Sequence, residues 1–331
     1  MKNAHRLSAF YVLTFCAIIV LVMLSFSLGA VHISFAELTA ALCGDTAGSA
    51  YKILRFVRLP RVCAAVLCGA ALAASGAIIQ SVLHNPLGSP NVLGMNAGAG
   101  LSVMVCAAFF PFVPNLLPFA AFFGAFVTLL LVCALGKHAG NSKTAVLLSG
   151  VAANTFFIAL TDAVTVFVPD TIHSRTAFKI GSLSGVQMNV LVPAAVVIIL
   201  SVIIAFFLRD ELDVLALGDE SAHSLGLPVG AVRFCALVLA ALLCGAGISF
   251  AGLVGFVGLI VPHCARVFVG GEMRRLLPAS VLLGAALVLL CDLLSRLVFA
   301  PYELPVGILL SVIGGPFFVV LLLKEKRSKH D

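Results

Sequence analysis

Three groups of polar side chains interrupt a chain that is otherwise too oily for chemistry in water. Arg58 and Arg61 lie three apart in RLPR, and Arg296 stands in a later apolar run. Guanidinium groups grip carboxylates through paired, charge-assisted hydrogen bonds, so a rim of three suits capture of acidic residues on an external partner. Taken singly, each suits a long cation reaching for lipid headgroups equally well. The second group, His263, Arg266 and Asp292, is set in apolar stretches. His263 has no second and third ligand at usable spacing, so these three read as structural or coupling residues and no metal site is expected. The third group is an island of charge, RDELDVLALGDESAHSLGLPVGAVR over 209–233. It holds Asp210, Glu211, Asp213, Asp219 and Glu220, five of the chain's 14 acidic residues.

The island's spacing predicts two short helices. One covers 213–217 and closes on a left-handed Gly218. The other, N-capped by Asp219, covers 220–225 and stops at Gly226, with Pro228 two residues on. Leu215, Leu217, Ala222 and Leu225 then give an apolar side to a charged knuckle, the shape that fits a groove on a partner. A solvated helical loop is the alternative. Two further turns, HNPLGSPNVLG and GNSKT, carry helix-capping residues. If the chain forms a pore, Asn85 and Leu87 sit at its cytoplasmic mouth.

The elements that position these groups must cross a bilayer. Of the 331 residues, 62% are hydrophobic and 10% charged, with a mean hydropathy of +1.18, which excludes an ordinary soluble domain. A span needs about 20 apolar residues, and ten stretches qualify. They cover 7–30, a second from 62, 94–110, 119–135, 145–168, 190–208, two crossings within 231–271, 276–298 and 306–323. This is an all-α polytopic membrane protein in a single transmembrane domain, 1–331. With both termini inside, thirteen of the 20 Lys and Arg fall inside and seven outside, as the positive-inside rule requires. Four of the outer seven crowd into KILRFVRLPR, against that rule.

Gly69, Ala70, Gly76, Pro86 and Gly94 recur as Gly245, Ala246, Gly252, Pro262 and Gly270 at one offset, the mark of an inverted repeat. The ten Cys are scattered, with no CxxC pair, and read as small core residues. The net charge of +6 follows membrane-flanking loops, with no aromatic-interleaved basic patch for nucleic acid. No GxxxxGK[ST], HExxH or GxSxG occurs, so nucleotide hydrolysis, zinc proteolysis and serine esterase chemistry lack their usual footing. Energy must come from another subunit or from an ion gradient. Ion-coupled secondary transport would need a buried carboxylate, for which Asp162 and Asp292 are the candidates.

Several motifs resemble the iron-chelate and cobalamin permeases of type II ABC importers, the FecCD-like family. They are RLPR at 58–61, NPLGSPNVLG, LALGDESAHSLGL, GLIVPHCARVFVGGEMRRLLP and ELPVGILLSVIGGPFF. The resemblance implies a type II importer permease fold, multi-pass in a bacterial cytoplasmic (inner) membrane. It implies a coupling segment at 209–233 in which Leu215, Leu217, Gly218, Asp219, Ala222, Leu225 and Gly226 seat on an ABC ATPase dimer. Arg58, Arg61 and Arg296 would dock glutamates of a periplasmic or lipid-anchored binding protein, and Asn85, Leu87, Ser142 and Lys143 would form the cytoplasmic gate. A second permease subunit, in a homodimer or close heterodimer, would complete a path for a metal chelate: a ferric siderophore first, then haem, cobalamin or molybdate. No cofactor is implied beyond ATP on the partner subunit. Small apolar pore walls would leave specificity to the binding protein. One departure is the outer segment FKIGSLSGVQMNV, where members often carry Trp and this chain has none.

Overall fold

A backbone in hydrocarbon must satisfy its own amides, and the apolar runs do so as helices. The structure is a computed structural model describing residues 2–29, 48–140, 142–298 and 302–328. The described helices are α1 (Lys2–Ser27), α2 (Ser49–Leu83), α3 (Met95–Phe109), α4 (Leu117–His138), α5 (Lys143–Phe167), α6 (Ile172–Ile180) and α7 (Met188–Phe207). They continue with α8 (Arg209–Leu215), α9 (Asp219–Ser224), α10 (Val229–Ala251), α11 (Val257–Val269), α12 (Met273–Leu297) and α13 (Val306–Ser328). Seven of them (α1, α2, α4, α5, α7, α10 and α12) are long and apolar enough to cross a membrane, and α3, α11 and the apolar part of α13 are shorter. These ten follow the predicted order.

The second helix is the axis of the bundle. Its apolar window is 83% buried against 6% for α1, so α2 is a core element and α1 a peripheral one. It packs on α12, α10 and α11. Glycines set two of these crossings. A methyl on Gly69 would overlap the Gly284 backbone of α12, and one on Gly76 would overlap Gly258 at the start of α11. Small residues let backbones approach this closely where lipid offers no hydrophobic drive.

α2 begins 13 residues before the predicted start at 62. Pro60 lacks an N–H and crowds the carbonyl four residues back. The helix absorbs it in a π-helical turn, Leu54–Arg58, where Leu59 N–H reaches the Leu54 carbonyl. KILRFVRLPR is therefore helix, not outer loop.

The region 231–271 divides at Gly252–Phe256, with Gly252 at φ +69° and Phe256 at φ +65°. Thirteen residues of α11 rise only about 20 Å, and the extended break supplies the rest of the crossing. Its backbone polar groups are met by two other segments. Leu253 N–H donates to the Phe178 carbonyl at 2.9 Å, Ser182 N–H to Ala251 at 2.9 Å, and Gly307 N–H to Gly181 at 3.2 Å. The ends of α6, α10 and the start of α13 thus meet at one irregular node inside protein, where non-helical backbone is tolerated. The expected repeat is matched only in part: Gly94 and Gly270 both take positive φ, yet α2 runs unbroken through Gly76 whereas α10 ends at Gly252.

Candidate functional site

The three arginines expected to form an outer rim do come together, but they point inward. Arg58, Arg61 and Arg296 are 4%, 7% and 4% exposed. Arg61 Nε donates to Asp292 Oδ1 at 2.9 Å and its Nη1 to Glu303 Oε2 at 2.7 Å. Arg296 Nη2 lies 3.1 Å from Asp292 Oδ2, close enough to attract but not aligned as a hydrogen bond. Arg58 donates to the Phe26 carbonyl, and Arg296 Nη1 lies 3.5 Å from the Ser25 and Leu28 carbonyls. Two guanidiniums therefore cap the outer end of α1, where unpaired carbonyls and the helix dipole favour cations. Leu304 N–H donates to the Ser295 carbonyl at 3.1 Å, fastening the outer turn to α12. The cluster ties together α1, α2, α12 and the turn before α13.

This accounts for half of the charge violation. Arg58 and Arg61 are buried and partnered, so they are not free loop charges, while Lys52 and Arg55 are exposed. Asp292, without an assigned partner in the sequence, is the hub. Glu303 is the residue that sequence reasoning missed, and its signal was an acid in the outer turn PYELP, on the same side as RLPR. Arg266 likewise donates to buried Gln80, which reaches the Gly258 and Leu259 carbonyls at 3.3 Å. His263 meets Phe317 edge-on.

At the other end, the charged island forms two short helices with shifted bounds. The first, α8, starts at Arg209, directly after α7, instead of at 213. Gly218 has φ +109° and Gly226 φ +83°. Asp219 is the first helical residue of α9 and not its N-cap. Its carboxylate is taken elsewhere, by Arg233 Nη2 at 2.6 Å and Lys143 Nζ at 3.0 Å. Burial pushes the Asp219 carboxyl up, but these two cations outweigh it and hold the group below its ordinary range. Asp213 Oδ1 accepts from Met273 N–H at 2.7 Å, capping α12 across the chain. Burial raises the Asp213 carboxyl, Glu272 and Asp210 add to that, and the Met273 N–H opposes it.

The expected apolar face of this knuckle splits in two. Leu215 and Ala222 are fully buried against the chain itself, together with Leu212, whereas Leu217 and Leu225 are 65% and 66% exposed. The first set anchors the knuckle and the second is presented outward.

The residues expected to form a gate are also divided. Asn85 Oδ1 accepts from Leu87 N–H at 2.9 Å in a tight turn, after His84 closes α2 in the left-handed conformation. Asn85 and Leu87 line a cavity of about 580 Å³ with Leu72, Pro90, Leu147 and Phe256. Ser142 N-caps α5 by accepting from Ala145 N–H at 3.0 Å. Lys143 pairs with Asp219, so the GNSKT turn is ion-paired to the knuckle.

The profile of the FecCD transport family matches residues 17–324. The Fe(3+) dicitrate transport permease FecD of Escherichia coli is 39% identical over 277 residues, 83% of this chain and 86% of that protein. The hemin transport permease HmuU of Yersinia pestis is 35% identical over 318 residues, 94% of each. A structure of a metal-chelate type ABC transporter in an inward-facing conformation superposes with a TM-score of 0.85 at 27% identity, covering 96% of this chain and 99% of that one. The ten apolar helices follow the order expected from the sequence, and the chain belongs to the FecCD transport family, as a multi-pass permease of the ABC-importer type.

Proposed function

We propose that this chain is the permease subunit of a binding-protein-dependent importer for a ferric chelate, in a bacterial inner membrane. It is worked by a separate ABC ATPase dimer, paired with a second permease subunit, and supplied by an extracytoplasmic binding protein. The relatives named above carry ferric dicitrate and hemin, and an iron(3+)-hydroxamate permease of Bacillus subtilis is 35% identical over 317 residues. The observation that carries the reading is the knuckle. Leu217 and Leu225 are presented outward on an element anchored by Leu212, Leu215 and Ala222 and ion-paired through Asp219 to the gate residue Lys143. A subunit pressing on α8 and α9 would move α5 and α10 together.

At the outer face, a carboxylate of a docked binding protein would replace Glu303 on Arg61, since Glu303 is the more exposed of its two acidic partners. Ion-coupled transport fits less well, because Asp292 is clamped between two arginines instead of open to an ion. The chain reconstituted in vesicles with its ATPase and binding protein should take up ferric dicitrate, haem or a ferric hydroxamate only with ATP inside. Uptake driven by an ion gradient without ATP would reject the reading.

A further inference from the structure

Two cavities along one side of the subunit have largely apolar walls interrupted by a group of carboxamides. The inner cavity, about 580 Å³, includes Asn85, Asn91 and Asn96, and a second of about 170 Å³ between α3, α5 and α6 includes Asn91, Asn96, Asn154, Thr161 and Lys179. Asn91 and Asn96 line both, so the two adjoin between the inner turn and α6. Asn154 lies at the middle of α5. Asn96 and Asn154 are half-buried, and Asn91 and Lys179 exposed. Among the described residues the Asn91 and Asn154 side chains have no hydrogen-bond partner, and Asn96 meets only the Cys244 thiol at 3.9 Å.

An unpaired carboxamide at the middle of a spanning helix, as Asn154 is, is too costly to face lipid and is tolerated where it meets water or a polar ligand. Carboxamides both donate and accept, and an ammonium only donates. Lys179 is the charged residue among those lining the two cavities. We propose that Asn91, Asn96, Asn154 and Lys179 form an aqueous, anion-favouring binding surface, built for an oxygen-rich, negatively charged metal chelate. This rests on the import reading above and names the cargo class it would pass.

The test needs neither cargo nor ATP, so it separates from that reading, whose own failure would appear in the uptake assay. The full-length Asn154→Cys chain in vesicles is treated with an anionic (sulfonatoethyl) or a cationic (trimethylammonioethyl) methanethiosulfonate. Modification at position 154 is read by mass spectrometry, and Ile203→Cys on the apolar helix α7 serves as control. After correction for each reagent's rate on free cysteine, the anionic reagent should react about tenfold faster at 154. Lys179→Gln should abolish that preference and Lys179→Glu reverse it. Labelling at 154 no greater than at 203 would overturn the aqueous surface, meaning lipid or a second subunit covers it. Equal rates for both reagents, unchanged by the Lys179 variants, would overturn its anion preference.

Discussion

Asp292→Asn is the sharpest perturbation the structure offers. The carboxylate is 1% exposed and lies between two guanidiniums, Arg61 at 2.9 Å and Arg296 at 3.1 Å. Removing one partner of a buried pair leaves an uncompensated charge and costs about 3–5 kcal/mol. The amide keeps one acceptor for Arg61 Nε, which places the cost near the lower figure. At roughly 2 °C per kcal/mol for a chain of this size, the apparent melting midpoint in detergent should fall by about 6 °C. Glu303→Gln, whose side chain is 34% exposed, should fall by under about 2 °C, since a solvated pair contributes about 0–1 kcal/mol. Asp292→Asn combined with Arg296→Met should recover part of the loss, because the double change removes the orphaned cation. An Asp292→Asn protein melting within about 2 °C of the parent would refute the view that this cluster holds α1, α2 and α12 together. So would a double variant losing the full sum of the single losses.

Gly76→Val should cost about 1–3 kcal/mol or block folding, read as a lower melting midpoint, because the Gly258 backbone occupies the space a side chain needs. Leu225→Asp should weaken ATPase attachment about tenfold in pull-down titrations without lowering the melting midpoint, whereas Ala222→Asp should lower the midpoint, since only Ala222 is buried in the chain. Lys143→Gln, which leaves Asp219 paired with Arg233, should weaken the coupling of ATP hydrolysis to transport; unchanged coupling would remove the Lys143–Asp219 ion pair from the transmission path. The Asp219 carboxyl is held below its ordinary value of 3.8, so its stabilising contribution is present above that value and lost only as pH falls through the depressed one. Coupling that passes through it should therefore be flat between pH 5 and 8 in a transport assay.

The sequence carried the span order because apolar length alone dictates it, and it carried the family because RLPR, NPLGSPNVLG and ELPVG stand as short contiguous strings. It located Arg58, Arg61 and Arg296 at one membrane side but not their direction. That depends on Asp292 and Glu303, 231 and 242 residues from Arg61, and no local pattern encodes such a distance. The knuckle's boundaries slipped for a related reason. An Asp after a Gly reads as an N-cap, but tertiary cations claimed the Asp219 side chain before the backbone did. The early start of α2 had a visible obstacle, Pro60, and the widened turn that accommodates it has no sequence signature of its own.

The two ends of the molecule each gather charged side chains from helices far apart in the chain. Outside, three buried arginines meet two carboxylates and the carbonyl end of α1. Inside, one partly exposed aspartate meets two cations from different helices. Each cluster joins helices distant in the chain, α2 to α12 outside and α5 to α9 inside. Between them the bundle is held by glycine crossings and by the backbone node of α6, α10 and α13, which have few alternative packings. Motion applied at the knuckle therefore has stiff elements to travel through. The ion pairs at either end are the contacts that can exchange partners without exposing apolar surface. If that division holds, Lys143→Gln should be tolerated in the fold and register mainly in coupling, whereas substitutions at Gly69 or Gly76 should register first in the melting midpoint.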